Sequence, residues 1–322
     1  MDPEFNPNRP QISVVIPAYR AEATIRRAID SVLAQPEVNV RIIVVVDGIF
    51  DRTAELIADY SSEQVVVHSH DINKGAAVSR NDGLALVDSE YVMFLDADDF
   101  IEGPLLQGLS AAVSETGADL GFGPMQILHE TRGEREEKYV PDFSSSEDVL
   151  RKWHLGGVFV TPCSILWRAE FLRGIGSWDP EVTRNDDGEL VMRAILKGAK
   201  FVVSDRGCGI YVKHSMESLN NRTDNMDSML RVNEKLLAIQ SPVIDPELQR
   251  YVCAGHYFNI ASHGYLSGRD DLGDEALKRS RKMGFGTRGP LPHRLAYALL
   301  GVKRTCRLIA RVKRYRAAGI GR

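Results

Sequence analysis

Apolar and polar positions follow two rhythms over the first hundred residues. Short, continuous, β-rich apolar runs recur at Ile12–Ile16, Arg41–Val46, Gln64–His68 and Glu90–Leu95. Each has the length of one strand buried on both faces. Between them apolar residues return at helical spacing. Ala21–Gln35 carries Ala21, Ile25, Ala28, Ile29, Val32 and Leu33, and Thr53–Tyr60 and Ala76–Val87 read the same way. This βαβαβαβ order predicts an α/β fold with a parallel sheet and right-handed crossovers. Beyond Asp99 the rhythm loosens. A helix is expected over Leu105–Glu115, extended chain over Asp119–Leu128 and Val158–Trp167, and a helix over Glu189–Leu196. Strands follow near Phe201–Val203 and Ile210–Val212, then mostly helix from Asn225 to Lys282. The charged, turn-rich His129–Ser146 predicts a flexible surface loop. No internal repeat is visible.

The candidate chemistry sits where strands end. Leu95-Asp96-Ala97-Asp98-Asp99 closes the fourth strand with three carboxylates in four residues. Like charges this close repel, and desolvating them together is costly unless a cation sits among them. Hard oxygen ligands of this kind suit Mg²⁺ or Mn²⁺, which commonly also hold substrate phosphates. The plain alternative is an acidic turn capping the next helix. Pro17-Ala18-Tyr19 closes strand one, and Asp47-Gly48 closes strand two with Asp51 beyond. Asn73-Lys74-Gly75 follows strand three and opens the helix bearing Arg80. Ligands of open α/β sheets bind at the carboxyl ends of strands, where all four segments fall. Together they offer an aromatic for a base, a carboxylate for a ring N–H, and basic groups and a metal for a diphosphate.

These segments carry a family resemblance. ISVVIPAYRAEATIRRAIDSVLAQ, VVVDGIFDRTAELI, NKGAAVSRNDGL and YVMFLDADD resemble the nucleotide-binding half of family 2 glycosyltransferases of GT-A fold. The likeness is dense over 11–103 and thinner to about 220. It implies a Rossmann-like, mostly parallel sheet flanked by helices, with a helical C-terminal region. By this resemblance Pro17, Tyr19 and Asp47 line the nucleoside, Lys74 and Arg80 lie near the nucleotide, Asp96 and Ala97 lie near the ribose, and Asp98 ligates the metal, with Asp96 beside it. Asn185-Asp186-Asp187-Gly188-Glu189-Leu190 resembles the family's acidic pair at a helix start, which maps the catalytic base onto Asp187. Asp186 stands where the family usually has Glu, and Gly188 where it has an aromatic. Tyr211–Leu219 resembles the closing Tyr-x-x-His-x-x-Ser-Leu loop, which brings His214 to the metal or diphosphate. The usual Asp-Asp-Gly-Ser loop is Val46-Asp47-Gly48-Ile49 here, so uridine is a default for the base.

The resemblance implies a metal-dependent inverting glycosyltransferase of bacterial polysaccharide assembly. It would move a sugar from a nucleoside diphosphate sugar, UDP-sugar by default, to the hydroxyl of a lipid-linked or polysaccharide-precursor glycan. The cofactor is Mn²⁺ or Mg²⁺. Trp153, Trp167, Trp178 and Thr161–Ser164 are candidate linings of the acceptor cleft. One competing reading is a sugar nucleotidyltransferase, but Pro17–Ala21 lacks the glycines of its phosphate loop. Another is a catalytically silent nucleotide-sugar-binding subunit at the membrane, against which Asp96, Asp98 and Asp187 speak.

Composition refines this picture. A chain of 322 residues with 43% hydrophobic and 26% charged residues fits a large core plus an appendage. No apolar run reaches the ~18–20 residues of a membrane span. The opening MDPEFNPNRP is polar and reads as a leader or tag. Cys163, Cys208, Cys253 and Cys306 are scattered, as expected of free thiols in a reducing compartment. Net charge is −4, yet residues 288–322 hold eight Arg and two Lys and no acidic residue. There Leu295, Leu299, Leu300, Val302, Leu308, Ile309 and Val312 interleave with basic residues, the pattern of a membrane-surface helix. A helix docked on the acidic body is the alternative, and nucleic acid is not an expected partner. Gly284–Gly289 fits G-x-G-x-x-G but follows no strand and precedes Pro290, so it reads as a hinge. The expected organisation is a leader (1–10), a nucleotide-sugar-binding half (11–103), an acceptor-binding and catalytic half (104–222), a helical region (223–287) and a basic amphipathic tail (288–322). A cytoplasmic protein, peripheral on the inner membrane face, follows.

Overall fold

The computed structural model describes residues 6–60, 64–214, 227–287 and 290–317, with side chains through 312. Two compact units emerge, one from residues 1–144, 159–180 and 198–218, the other from 145–158, 181–197 and 219–322.

The first unit holds a seven-stranded sheet. Strands β1 (Gln11–Ala18), β2 (Asn39–Asp47), β3 (Val65–His70) and β4 (Tyr91–Phe94) alternate with helices α1 (Ile25–Leu33), α2 (Thr53–Ala58) and α3 (Ala76–Ala85). The four strands pair in parallel in the order β3-β2-β1-β4. β2 is buried from Ile42 to Asp47, as its unbroken apolar run requires. Helix α3 lies close on this sheet because Gly83 has no side chain; a Cβ there would stand 2.4 Å from Val15 Cγ1. Beyond β4 come β5 (Phe100–Glu102), α4 (Leu105–Thr116), β6 (Leu120–Phe122), β7 (Met125–His129) and β8 (Glu134–Arg135). The expected strand Asp119–Leu128 is thus two strands. Gly123-Pro124 breaks it, since proline has no N–H for a ladder, and the chain passes to a second sheet.

After α5 (Ser146–His154) the sheets are completed by β9 (Ile165–Arg168), β10 (Phe201–Val203) and β11 (Cys208–Lys213). The large sheet reads β10-β6-β9-β4-β1-β2-β3, with β9 antiparallel to both neighbours; the smaller reads β5-β11-β7-β8. Two more helices intervene, α6 (Ala169–Gly174) and α7 (Asp186–Leu196). The expected Val158–Trp167 strand shrinks to β9, preceded by a tight 3₁₀ turn at Pro162–Ser164. The loop expected over His129–Ser146 contains β8, paired to β7, and a bridge from Met125 to Tyr139. Helix α5 escaped the periodicity. Its signal was local: Ser145 accepts from Asp148 N at 3.1 Å, acids fill the first turn and bases the last.

The second unit is helical: α5, α7, α8 (Asp227–Leu237), α9 (Pro246–Ser267), α10 (Asp270–Lys282), α11 (Leu291–Leu300) and α12 (Val302–Ala317). Asp245 caps α9 by accepting from Glu247 N and Leu248 N, and Pro246 opens it. Tyr257, Phe258, Ala261, Tyr265, Leu272 and Ala276 share a core with Val302 and Cys306 of α12. Lys303 reaches Asp274 at 2.8 Å, and Arg307 pairs with Asp270. The final helix is therefore docked through part of its apolar side, the alternative weighed for the tail. Helix α11 differs, with no buried residue. All four cysteines are free and buried. No helix among the described residues is long and apolar enough to cross a membrane.

Two histidines lie inside this unit. His154 Nε2 and His256 Nδ1 lie 2.8 and 3.0 Å from the same Asn233 Oδ1, with the rings 3.9 Å apart. Burial pushes the His154 pKa down to about 4, and burial and the neighbouring His154 and His263 hold that of His256 well below its usual value. A buried neutral histidine binds its proton more weakly folded than unfolded. Its contribution is complete above the unfolded value of ~6.5 and is lost as pH falls toward 4. For His154 alone the loss is about 3 kcal/mol. Urea unfolding across this range is expected to show a steep decline in the wild-type protein and a shallower one in His154→Gln. Equal slopes would contradict the assignment.

Candidate active site

The carboxyl ends of β1–β4 bring the expected residues into one region of the first unit. At β1, Pro17 is half-buried and Tyr19 is 47% exposed, its ring edge-on to Phe50 at 5.6 Å. Arg20 has a left-handed backbone, φ 50°, and covers both rings. The turn is tied to the loop after β2: Ala21 N donates to Thr53 Oγ1 at 2.9 Å and Glu22 N to Asp51 Oδ2 at 3.2 Å. That places Tyr19 beside the loop carrying Ile49 and Phe50, both exposed.

Asp47 is 3% exposed. Its Oδ1 accepts from Lys74 N and its Oδ2 from Gly75 N, each at 2.8 Å, and His70 Nδ1 lies 2.9 Å from Oδ1. Burial pulls its pKa up, but Lys74 N–H, His70 and Gly75 N–H outweigh this and hold it below the usual value. Asp47 therefore fastens the end of β2 to the turn opening α3. Gly75 makes that turn possible: φ 92° with ψ 158° is open to little but glycine. The Lys74 ammonium lies 3.8 Å from Asp82.

Arg80 projects from α3 and is 6% exposed. It donates to Asp96 Oδ1 at 2.6 Å and stacks over the Trp178 ring at 4.3 Å. Asn81 and Trp178 exchange two hydrogen bonds, 2.8 and 3.0 Å, between side chain and backbone. Trp178 thus orients the guanidinium rather than a sugar. Trp153 and Trp167 are also buried, as are Thr161, Cys163 and Ser164. The expectation that these residues line an acceptor cleft is corrected: they belong to the packing.

The carboxylate cluster divides in two. Ala97 is buried. Asp99 is 1% exposed and turns inward, accepting from Val212 N of β11 at 2.8 Å. Burial, then the charges of Asp96 and Asp98, raise its pKa well above the carboxylate range. It is a buried tie between β4's end and β11. Asp98 faces outward with a side chain 45% exposed, and burial and the Asp96 charge raise its pKa. His214 Nε2 stands 2.9 Å from Asp98 Oδ2, and Nδ1 stands 2.6 Å from Glu130 Oε2. Burial alone would lower the His214 pKa, but Glu130 and Asp98 outweigh it and raise it.

This donor set fits a divalent cation. Asp98 and His214 bring a carboxylate and an imidazole within 2.9 Å of each other, ligand types that divalent metals accept, while Asp96 Oδ1 is taken by Arg80. A carboxylate on the far ring nitrogen is the usual support for a ligating histidine. Glu130 was not foreseen in the sequence. Only the pairing of β7 with β11 brings it in, through His129 opposite Lys213 and Glu130 N donating to Lys213 O at 3.1 Å. Among the described residues His68, His70 and Asp82 are the one group of three that places its ligand atoms within 4.8 Å of one another. Both His70 nitrogens face carboxylates there, as both His214 nitrogens do in the first set, and the Lys74 ammonium stands beside Asp82. Ser215–Leu219 of the expected closing loop lie outside the described residues.

Asp187 belongs to the second unit, in the first turn of α7, half-buried. Its Oδ1 accepts from Gly188 N at 2.8 Å. Asn185 precedes it in left-handed conformation, φ 59°, and a Cβ at Gly188 would stand 2.3 Å from Asn185 Oδ1. A side chain at 188 would therefore require the Asn185 amide to turn away. Glu189 is 1% exposed and bound by Arg193 at 2.7 and 2.9 Å, so its carboxylate is committed to the helix.

Fold and site define a GT-A-type α/β protein. Residues 13–174 match the family described as Glycosyl transferase family 2, half of the chain, and the chain belongs to that family. The succinoglycan biosynthesis protein ExoO of Rhizobium meliloti is 26% identical over 250 residues, 74% of this chain and 71% of the relative. Other curated glycosyltransferases match over shorter stretches, and the chain spans 18% and 41% of the length of two of them. The Staphylococcus aureus TarS 1–349 structure in complex with UDP-GlcNAc superposes with TM-score 0.70 at 19% identity, covering 94% of this chain and 91% of that one. The mannosyltransferase PcManGT of Pyrobaculum calidifontis, in complex with GDP-Man and Mn²⁺, gives 0.54 at 16%, covering 95% and 87%.

The buried bond from Val212 N–H to Asp99 has a measurable consequence. Asp99→Asn keeps an acceptor for Val212 N–H and is expected to change stability by under about 1 kcal/mol. Asp99→Leu strands that buried donor and is expected to cost about 1–3 kcal/mol. Urea midpoints decide it; a leucine variant as stable as the asparagine variant would refute the tie.

Proposed function

We propose that this chain transfers a sugar, with inversion, from a nucleoside diphosphate sugar to an acceptor hydroxyl. The observation that carries the reading is Asp98 facing His214, itself held by Glu130, beside the Arg80–Asp96 pair at the strand ends. The donor complexes named for the two similar structures support a nucleotide-sugar ligand, with UDP as the first candidate. Tyr19 offers the base an exposed aromatic face, near Pro17 and Asp47. Asp96, Ala97, Lys74 and Arg80 form the ribose and phosphate side. Asp98, Asp96 and His214 would hold Mn²⁺ or Mg²⁺. A divalent ion bound there supplies positive charge for a departing diphosphate.

The chain's own residues do the rest. Arg80, stacked on Trp178, is a fixed cation for charge developing on the phosphates. Asp187 is the base that takes the acceptor proton, a contribution of ~10² to 10⁴-fold. One base and direct displacement give inversion, as in the single-displacement glycosidases. The role printed for ExoO, succinoglycan biosynthesis, supports a polysaccharide-precursor or lipid-linked acceptor. The basic 288–322 segment and the exposed leucines of helix α11 support peripheral attachment to the inner, anionic membrane face.

Calorimetry of UDP binding with and without Mn²⁺ tests the metal assignment. Asp98→Ala is expected to remove the metal's enhancement of binding; an unchanged enhancement moves the ligand elsewhere. Asp187→Asn keeps shape and loses basicity. It is expected to retain donor binding and slow transfer, read as release of UDP, by ~10² to 10⁴-fold. A near wild-type rate would shift the role to Asp186, because Glu189 is engaged by Arg193.

A further inference from the structure

We propose that a pocket in the helical unit binds the phosphate of an anionic phospholipid. The cavity measures about 530 Å³ and is lined by Arg151, Leu155, Tyr251, Phe285, Thr287 and Arg294, with Gly286 at its edge. That size holds a headgroup, within the ~300–1,000 Å³ of small-molecule sites. Two arginines line it, and among the described residues no carboxylate does. Elsewhere in this unit Arg193, Arg269, Arg279 and Arg307 each have a carboxylate partner. Among the described residues Arg151 and Arg294 have none; exposed Arg231 and Arg281 share that, but only Arg151 and Arg294 line one cavity together. A pair of uncommitted guanidinium groups matches the oxygens of a phosphate. Tyr251 and Phe285, with rings 5.2 Å apart, form an apolar wall, and Tyr251 keeps half its surface exposed.

The neighbouring helix selects a lipid over a soluble phosphate. Arg294 lies on α11, where Leu291, Leu295 and Leu299 recur every four residues along one stripe. They are 66%, 56% and 83% exposed. A free phosphate gives this stripe nothing to do. A bilayer surface takes both, with leucines at the acyl boundary and guanidinium groups at headgroup level. The site lies wholly within the second unit and uses none of the donor-binding residues. The inference rests on the membrane attachment proposed above and adds a defined headgroup site to it.

Co-sedimentation of the full chain with phosphatidylcholine vesicles, with and without phosphatidylglycerol, tests it. The wild-type protein is expected to bind only vesicles containing phosphatidylglycerol. Arg151→Gln with Arg294→Gln is expected to weaken partition about tenfold or more. Leu295→Ser with Leu299→Ser is expected to weaken it as well. Removing the same charge from exposed Arg231 and Arg281 is expected to leave it near wild type. Circular dichroism and calorimetric UDP binding should be unchanged throughout; should the glutamine pair misfold, Arg151→Lys with Arg294→Ala takes its place. If wild-type protein ignores the vesicles, both the site and the attachment fall, and binding of inorganic phosphate alone would not rescue the lipid assignment. If it binds and the pocket pair matches wild type or the control pair, the pocket falls while the attachment stands. In either case UDP binding reports on the transferase reading independently.

Discussion

Three carboxyl groups in four residues repel one another when all are ionised, and the first unit is arranged around that constraint. The chain resolves it by division. Asp99 turns inward, where burial and its two acidic neighbours favour the protonated form, its oxygen accepting from Val212 N–H. Asp96 is neutralised by Arg80. Asp98 is left outward, with His214 as its partner. Burial favours the protonated form of Asp99, and the bond it accepts from Val212 N–H anchors β11, whose last residue precedes His214. The burial of Asp99 and the placement of the histidine therefore go together.

This dependence extends outward in steps. Arg80 can serve Asp96 because Trp178 covers its other face, and Trp178 stays put because Asn81 grips its backbone. Asp47 fixes the opening of α3, and α3 carries both Arg80 and Asn81. Gly75 and Gly83 set the turn and the seating of that helix on the sheet. A small set of backbone ties therefore holds the candidate site before any ligand arrives.

The sequence was legible where chemistry and periodicity are local. The four parallel strands, their helices and the strand-end motifs all stood in contiguous segments. What escaped was made by distant pairing. Glu130 lies in a stretch that reads as surface loop, and only β7 lying beside β11 turns it into support for His214. Trp178 looked like a sugar platform because aromatic faces serve both uses, and only burial separates them. The Gly123-Pro124 break was readable as punctuation, yet an apolar run on both sides masked it. The tail's pattern was read correctly as amphipathic, but amphipathicity alone cannot say whether a helix lies on lipid or on protein; α12 does the latter, while α11 leaves its leucines uncovered.

The first turn of α7 carries a consequence for descent and for engineering. Asn185 occupies the space that a side chain at 188 would need. A mutation giving 188 the aromatic of its family collides with Asn185 unless that side chain leaves first. Losing Asn185 alone removes a residue type that tolerates a left-handed backbone. The two positions are therefore coupled: a side chain at 188 requires the Asn185 amide, the far end of a flexible side chain, to rotate away, so substitutions at either are best weighed in a double-mutant cycle.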